Sequence, residues 1–341
     1  MPNLTRASQE LFRRSPDERF SSLPALSDFC RQEKQVSSDR WHLPQLLQPH
    51  DAGGSVTVKT GDDGAFLLND WSFSQLCRMA GISKETMNRL SPSTASRALQ
   101  ETLPAADKPI QLLTAAQSVR SMHGVAYTRL WNADLLNVVN EFATDFQPPQ
   151  KGIEEATGLY CGEQDMFAFL IDPTGWTEIN NEAFAPGFFV WNSEVGRRSL
   201  GIQTFWFQAV CRNHLVWVAI EVTEFTRKHT ANVHDGLREI RRIIETLVEK
   251  RDARRDGFVR VLTKAMQTSL GNDTETVAKE LAANGIPRSL AADAIEIARQ
   301  QGRFTIFSVV DALTRLTQRI KYIGDRAEAD AQVSALFALA A

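Results

Sequence analysis

Long apolar runs are missing from this 341-residue chain. Runs such as Phe167–Ile171 and Leu215–Ile220 fall far short of the roughly 20 residues that a membrane-spanning helix needs, so no membrane partner is expected. The opening stretch, MPNLTRASQELFRRSPDERF, has no apolar core and does not read as a signal peptide. Cysteine is scarce. Cys30, Cys77, Cys161 and Cys211 stand far apart with no CxxC knuckle, which points to free thiols in a reducing cytoplasm rather than to disulfides or structural zinc. Phosphate loops are lacking as well: there is no GxxxxGK followed by Ser or Thr, and no GxGxxG after an expected strand. Nor is there a GxSxG elbow or an HExxH pair. His229 and His234 lie five apart and miss the i, i+4 spacing that puts two imidazoles on one helical face. No cofactor, metal or catalytic residue is therefore expected, and whether the chain is an enzyme stays open, with a non-enzyme favoured.

What is present is ordinary globular composition, 43% hydrophobic and 23% charged, in a chain long enough for about two domains. The net charge is only −3, but it is unevenly spread. From Leu130 to Val195 there are eleven acids and one base; from Gly196 to Lys264 there are fourteen bases and eight acids. Such blocks suit a surface that faces a polyanion, or two stretches that lie together and neutralise each other.

Four regions follow from pattern. Residues 1–54, rich in Ser, Pro, Arg and Gln, read as a flexible arm with a short helix near Ser27–Glu33. Residues 55–110 begin with a hairpin that turns at Gly61-Asp62-Asp63-Gly64, since Gly and Asp tolerate the positive φ of a tight turn. Helices follow over Phe73–Ala80, capped by Ser72, over Lys84–Leu90, capped by Ser83, and around Thr94–Thr102. Residues 111–225 read as an α+β core: a strand over Ser118–Leu130, a helix from Asn132 or Asp134 to about Phe142, and strands in Gly158–Asp172 and Gly187–Asn192. Ser199–Val210 reads as helix and Leu215–Val222 as strand. Residues 226–341 read as helical, with Val233, Leu237, Ile240, Ile244 and Leu247 forming one apolar stripe. The expected class is α+β: a central antiparallel sheet with packed helices and a helical C-terminal third.

Three constellations could carry function. Phe73–Leu90, FSQLCRMAGISKETMNRL, has the form of a helix-turn-helix whose second helix would offer Lys84, Glu85, Asn88 and Arg89 to duplex DNA. Two packed helices joined by a Gly-Ile-Ser turn would look the same. Glu163, Asp165 and Asp172 could converge on a metal, or be solvated strand edges. Finally, Arg197 and Arg198 lie among Phe188, Phe189, Trp191, Phe205, Trp206 and Phe207, and a basic helix carries Arg238, Arg241 and Arg242. Cationic grooves with aromatic platforms hold single strands; the alternative is core aromatics and arginines paired with neighbouring glutamates.

The segments HGVAYTRLWNADLL (His123–Leu136), GEQDMFAFLID (Gly162–Asp172), GFFVWNSEVGRRSLGIQTFWFQAVCRNHLVW (Gly187–Trp217) and GRFTIFSVVDALTRL (Gly302–Leu316) resemble the prokaryotic phage/plasmid-like proteins of domain-of-unknown-function family 932. The strongest markers are Ser193-Glu194-Val195-Gly196 and Cys211-Arg212-Asn213. Where that family often has Gly after Asn213, this chain has His214. The resemblance implies a mobile element, and no known reaction. AYTRLWNADLLNVVNEFATDF (Ala126–Phe146) is also similar to the opening strand and helix of single-strand annealing proteins, which bind single strands along a basic groove without cofactor chemistry.

Together these readings predict a cytoplasmic, mobile-element DNA-binding protein that anneals single strands in recombination. Phosphates would meet Arg129, Arg197, Arg198, Arg212, Lys228, Arg238, Arg241 and Arg242. Bases would stack on Tyr127 or Trp131. The stripe at 233–247 would mediate self-association or pack on the sheet. The alternatives are a duplex-reading regulator using the 73–90 segment, or a protein-interaction factor that modulates host defence. The binding reading requires that the arginines gather into an open trough rather than cancel against neighbouring acids.

Overall fold

The computed structural model describes residues 11–61, 64–149, 158–180, 182–208, 215–217, 224–300, 302 and 304–340. In chain order the first part holds β1 (Glu18–Arg19), α1 (Leu23–Val36), β2 (Ser37–His42), β3 (Leu47–Asp51), β4 (Val56–Thr60) and β5 (Ala65–Leu68). Next come α2 (Asp70–Met79), α3 (Lys84–Met87), α4 (Pro92–Thr102), β6 (Ile110–Ala115) and β7 (Ser118–Gly124). The middle holds α5 (Asn132–Phe142), β8 (Leu159–Cys161), β9 (Met166–Ile171), β10 (Thr177–Ile179), β11 (Glu182–Asn192), β12 (Leu200–Gln208), β13 (Leu215–Trp217) and β14 (Glu224–Arg227). The last third is helical: α6 (Asp235–Glu249), α7 (Arg251–Gln267), α8 (Thr274–Ala283), α9 (Arg288–Gln300), α10 (Ile306–Thr317) and α11 (Ile323–Ser334). The chain is α+β, as its pattern predicts.

Two sheets carry the architecture. The smaller runs β2-β6-β7-β5-β4-β3, with β5 and β7 parallel and the other neighbours antiparallel. It packs its apolar side (Val56, Val58, Leu112, Val119) on α2 and α4 through Phe73, Leu76 and Leu99. The larger runs β1-β8-β9-β11-β12-β13, with β10 and β14 paired to β11 and β12, and its pairs are antiparallel.

In the larger sheet, alternate side chains of β11 and β12 point to opposite faces. Phe188, Val190, Leu200 and Ile202 pack with α1, α5 and α6. Phe189, Trp191, Phe205 and Phe207 join Tyr160, Phe167 and Phe169 on the other face, where α11 contributes Ile323 and Ala327. At the far end of the strands, Phe184 and Trp206 enter the helical core of α7 to α10; Trp206 stacks on Phe258 with ring centroids 4.0 Å apart.

Burial on both faces explains the main departure from the sequence reading. Ser199–Val210 reads as helix because no alternation shows, yet β12 is a strand whose every residue is buried. A strand covered on both sides loses the two-residue period. At the N-terminus, the described residues from 11 onward supply a fourteen-residue helix and three strands, where the sequence suggests a loose arm with a short helix. Only Leu26, Ser27 and Cys30 of α1 are buried, so its apolar signal is thin. Asn69, not Ser72, caps α2; Ser72 is the N3 partner of a capping box in which each side chain bonds the other's backbone N–H.

The stripe at 233–247 takes the second of its two expected courses. Val233, Ile240, Ile244 and Leu247 are buried against α5 and the larger sheet, and Leu237 packs at their edge. This face is therefore not offered to a second copy, which corrects the expectation of self-association through it. The charge blocks likewise meet: Arg198 pairs with Asp165, and Arg251 with Asp172 and Asp145. Asp172 accepts bonds from the Thr174 backbone N–H and hydroxyl. Among the described residues no helix is long and apolar enough to cross a membrane.

Candidate functional site

The turn after β11, Ser193-Glu194-Val195-Gly196, ties the two sheets together. Its carbonyls draw donors from several elements. Trp71 Nε1, on α2, donates to Val195 O at 2.8 Å. Tyr127 Oη donates to Glu194 O at 2.9 Å, and Arg129 Nη1 donates to the same oxygen. The Glu194 carboxylate accepts from the Asn132 backbone N–H at the start of α5 (2.8 Å) and pairs with Arg120 of β7 (3.0 Å). Ser193 Oγ donates to Gln164 O and accepts from Arg197 N. Gly196 sits at φ +69°, and a Cβ there would lie 2.7 Å from His123 and 2.9 Å from Tyr127. Glycine is what lets this turn close on those rings.

The rings form a stack. His123 lies on one face of Tyr127 with centroids 3.7 Å apart; His229 lies at 5.4 Å. Burial lowers the His123 pKa to about 3, helped by the nearby Arg129 charge, and burial lowers His229 to about 4. Both imidazoles are neutral at pH 7. Burial pushes the Tyr127 phenol up, so it stays protonated as a donor. Burial alone would lower the Arg120 guanidinium, but Glu194 and Glu33 more than offset that and hold it raised.

The nominated residues fall into separate places. Arg129 is buried, bound to Asp39 (2.6 Å) and Glu194 O, with Tyr127 and Trp131 rings on either hand. It is a clamp between β2 and the turn, not an open phosphate contact. Tyr127 is half-buried and its ring is already stacked with His123 at 3.7 Å, with His229 at 5.4 Å. Trp131 is half-buried, 6.0 Å from the Lys34 ammonium. Arg198 binds Asp165 (2.7 Å), Asp325 (3.2 Å) and Glu328, and so ties α11 to the larger sheet. Burial raises the Asp165 carboxyl even with Arg198 and Arg14 beside it. Arg238, Arg241 and Arg242 are exposed on α6 and pair along their own helix with Asp235, Glu245 and Glu239. Since α6 packs on the face of the sheet opposite α11, these arginines do not join Arg197 and Arg198 in one trough. Arg212 lies outside the described residues.

Arg197 and Lys228 differ from these. Both are exposed, and neither makes an ion pair among the described residues. The Arg197 guanidinium stands 5.9 Å from the Trp71 ring. Arg197 borders an open cleft of about 420 Å³ on the aromatic face of the larger sheet, beside α11. Phe167, Phe189 and Trp191 form its floor; Arg198, Gln203 and Thr226 stand along its sides. Of the floor rings, Phe167 and Trp191 are tilted by 19° and Phe189 and Trp191 by 32°. Glu224 and Glu328 also line it, so the cleft is mixed in charge rather than basic throughout. Lys228 follows β14, whose Glu224 and Thr226 line the cleft, and lies one residue beyond the last β12–β14 pair, Leu200 with Arg227.

The helix-turn-helix pattern resolves differently. α3 is a single turn, Asn88 is buried in bonds to the backbone of Phe12, and Lys84 pairs with Asp70 at 2.6 Å. Of the three carboxylates, Asp165 and Asp172 are taken up by arginines, while burial and the neighbouring Asp70 raise Glu163 to about 7. Among the described residues no group of His, Cys, Asp and Glu is placed to hold a metal ion. The sequence reading missed Phe167 as part of the floor and Glu194 as the ion-pair partner of Arg120. Phe167 alternates with Phe169 in GEQDMFAFLID, a period that signals a shared face.

A family model described as "Domain of unknown function (DUF932)" matches residues 120–321. No curated protein and no solved structure matches the chain.

Proposed function

We propose, for a chain that belongs to this family of unknown function, that the cleft beside α11 binds a short single-stranded nucleic-acid segment without chemical conversion, in the service of strand annealing in a mobile element. The observation that carries the proposal is the combination of an aromatic floor (Phe167, Phe189, Trp191) with Arg197 on its lining, which makes no ion pair among the described residues; Lys228, exposed just past β14, is the next cation along. A base gains about 1–3 kcal/mol by stacking on an aromatic side chain, whatever its identity. Phosphates follow at Arg197 and Lys228, and each neutralised phosphate releases counterions, so binding weakens as salt rises. Glu224, Gln203 and Thr226 offer polar atoms to base edges. The footprint is one or two nucleotides per protomer, smaller than a groove built from all the nominated cations.

The test is a mobility-shift series with single-stranded and duplex oligonucleotides at two salt concentrations. Arg197→Glu combined with Lys228→Glu is expected to lower single-strand affinity at least tenfold. Arg238→Glu with Arg242→Glu, on the opposite face of the sheet, is expected to leave it within about twofold, since the cleft makes the contact. Arg198 is left in place because it holds α11. Equal losses from both pairs, or no single-strand binding at low salt, would overturn the proposal.

A further inference from the structure

Strand register sets two unlike halves of the cleft beside α11 next to each other. Phe189 of β11 pairs with Phe169 of β9 on one side and with Gln203 of β12 on the other, and Gln203 pairs with Glu224 of β14. The neighbouring row runs Phe167, Trp191, Gly201, Thr226. Directly paired residues share a face of a sheet. This face is therefore aromatic over β9 and β11 and turns polar over β12 and β14, where Gln203, Glu224 and Thr226 line the cleft. Phe225, between the last two, packs with the core on the opposite side of the sheet.

Trp191 bridges the halves. A Cβ at Gly201 would run into Cζ2, Cε2 and Cη2 of the indole, so the absence of a side chain there lets the ring reach over β12 toward Thr226. Trp191 is also the most exposed of the floor rings, at 9% against 4% for Phe189 and 2% for Phe167. It is the platform on which a planar ring can lie, and the edge of that ring then meets Gln203 and Glu224.

Those two side chains are available. Among the described residues neither makes a side-chain hydrogen bond or an ion pair. The other acid of the cleft, Glu328, is held by Arg198. A carboxylate on the wall of a strand-binding cleft repels phosphates, and it lowers affinity unless a donor meets it. Ionised, it only accepts, and its two oxygens suit two adjacent donors; the amide of Gln203 both donates and accepts.

The bases differ on this edge. Guanine carries adjacent donors, N1–H and the 2-amino group, with the acceptor O6 beside them. Adenine and cytosine set one amino group next to an acceptor ring nitrogen. Thymine flanks its single N3–H with two carbonyl oxygens, which repel a carboxylate. Unstacked bases are read on this edge in single strands.

We infer that the cleft selects guanine: the base stacks on Trp191, Glu224 accepts from N1–H and the 2-amino group, and Gln203 Nε2 donates to O6. The inference rests on the reading of this cleft as a base-binding site and names the base. Guanine can come from a strand or from a free nucleotide, and the test separates the two.

Fluorescence anisotropy at low salt would compare oligothymidylate carrying one central dG with the same strand carrying one deoxyinosine, which lacks only the 2-amino group. Calorimetry would compare the two bases as free 5′-monophosphates. The dG strand is expected to bind at least about fivefold more tightly than the deoxyinosine strand. Glu224→Gln is expected to bring the two within about twofold, since an amide cannot accept from both donors. Gln203→Ala, which loses the O6 contact common to both bases, is expected to keep their ratio. A dG preference in the monophosphates without any strand binding would overturn the strand-annealing reading and keep the guanine site. Equal binding of guanine and hypoxanthine in both forms, or a preference that survives in a folded Glu224→Gln variant, would overturn the site itself. Thermal unfolding establishes that the variants are folded.

Discussion

Two groups of arginines in this chain look alike in sequence and behave oppositely in the fold. Arg120, Arg129 and Arg198 are drawn inside, each bound to acids from distant parts of the chain. Arg238, Arg241 and Arg242 stay in solvent and pair with acids three or four residues away on α6. An interior ion pair closes contacts between elements, whereas an i, i+3 or i, i+4 pair only decorates one. The first group holds β7, β2 and α11 to the turn and to the larger sheet. In the second, Arg241 also lies over the Phe142 ring of α5, 4.1 Å from its centroid, while the ion pairs of Arg238 and Arg242 stay within α6.

Breaking the interior group gives the largest effect. Glu194→Ala strands the Arg120 guanidinium, which is left with Glu33 at 3.6 Å, and removes the carboxylate that caps the Asn132 N–H. Removing one partner of a buried pair is expected to cost about 3–5 kcal/mol. Urea unfolding of wild type and variant measures it, and a loss below about 1 kcal/mol would show that the turn does not join the sheets.

The next effect is one of pH. The His123 pKa is lowered from 6.5 to about 3, mainly by burial. Below pH 6.5 the unfolded chain therefore takes up a proton that the folded chain refuses, and stability falls as pH drops toward the folded value. From pH 7 to pH 5 this amounts to about 2 kcal/mol. Glu163 acts with opposite sign: its carboxyl is raised to about 7, so the folded state holds its proton more tightly and gains as pH falls over the same range. Comparison with His123→Phe isolates the histidine. The variant should lose about 2 kcal/mol less than wild type between pH 7 and pH 5. Parallel losses in urea unfolding would mean that the stacked imidazole is not shielded.

The smallest effect sharpens the contrast from the other side. Arg238→Ala and Arg242→Ala each remove an exposed intrahelical pair and should change unfolding free energy by less than about 0.5 kcal/mol. A larger loss would show that the α6 surface is covered in solution.

Particular elements show what was legible. The Ser83 cap, the 56–68 hairpin and helix 132–142 read correctly, because capping, tight turns and helical spacing act within a few residues. The helix over 323–334 gave no clear signal, being short of large apolar residues; polar contacts through Arg198 hold much of it. At the site, the aromatics and arginines around 188–207 were visible as a cluster. Which of them share a face was not, since that needed the strand assignment of β12.

The sequence by itself determined the α+β class, the helical final third, the apolar stripe of α6 and the absence of a span long enough for a membrane-crossing helix. These follow from periodicity and composition, which are local properties. Tertiary structure alone decided which cations are open. An arginine's charge is the same everywhere, but its availability depends on the carboxylates that folding brings within a few ångströms. Asp39 reaching Arg129 and Asp165 reaching Arg198 are pairings across 90 and 33 residues, and no window of sequence contains them.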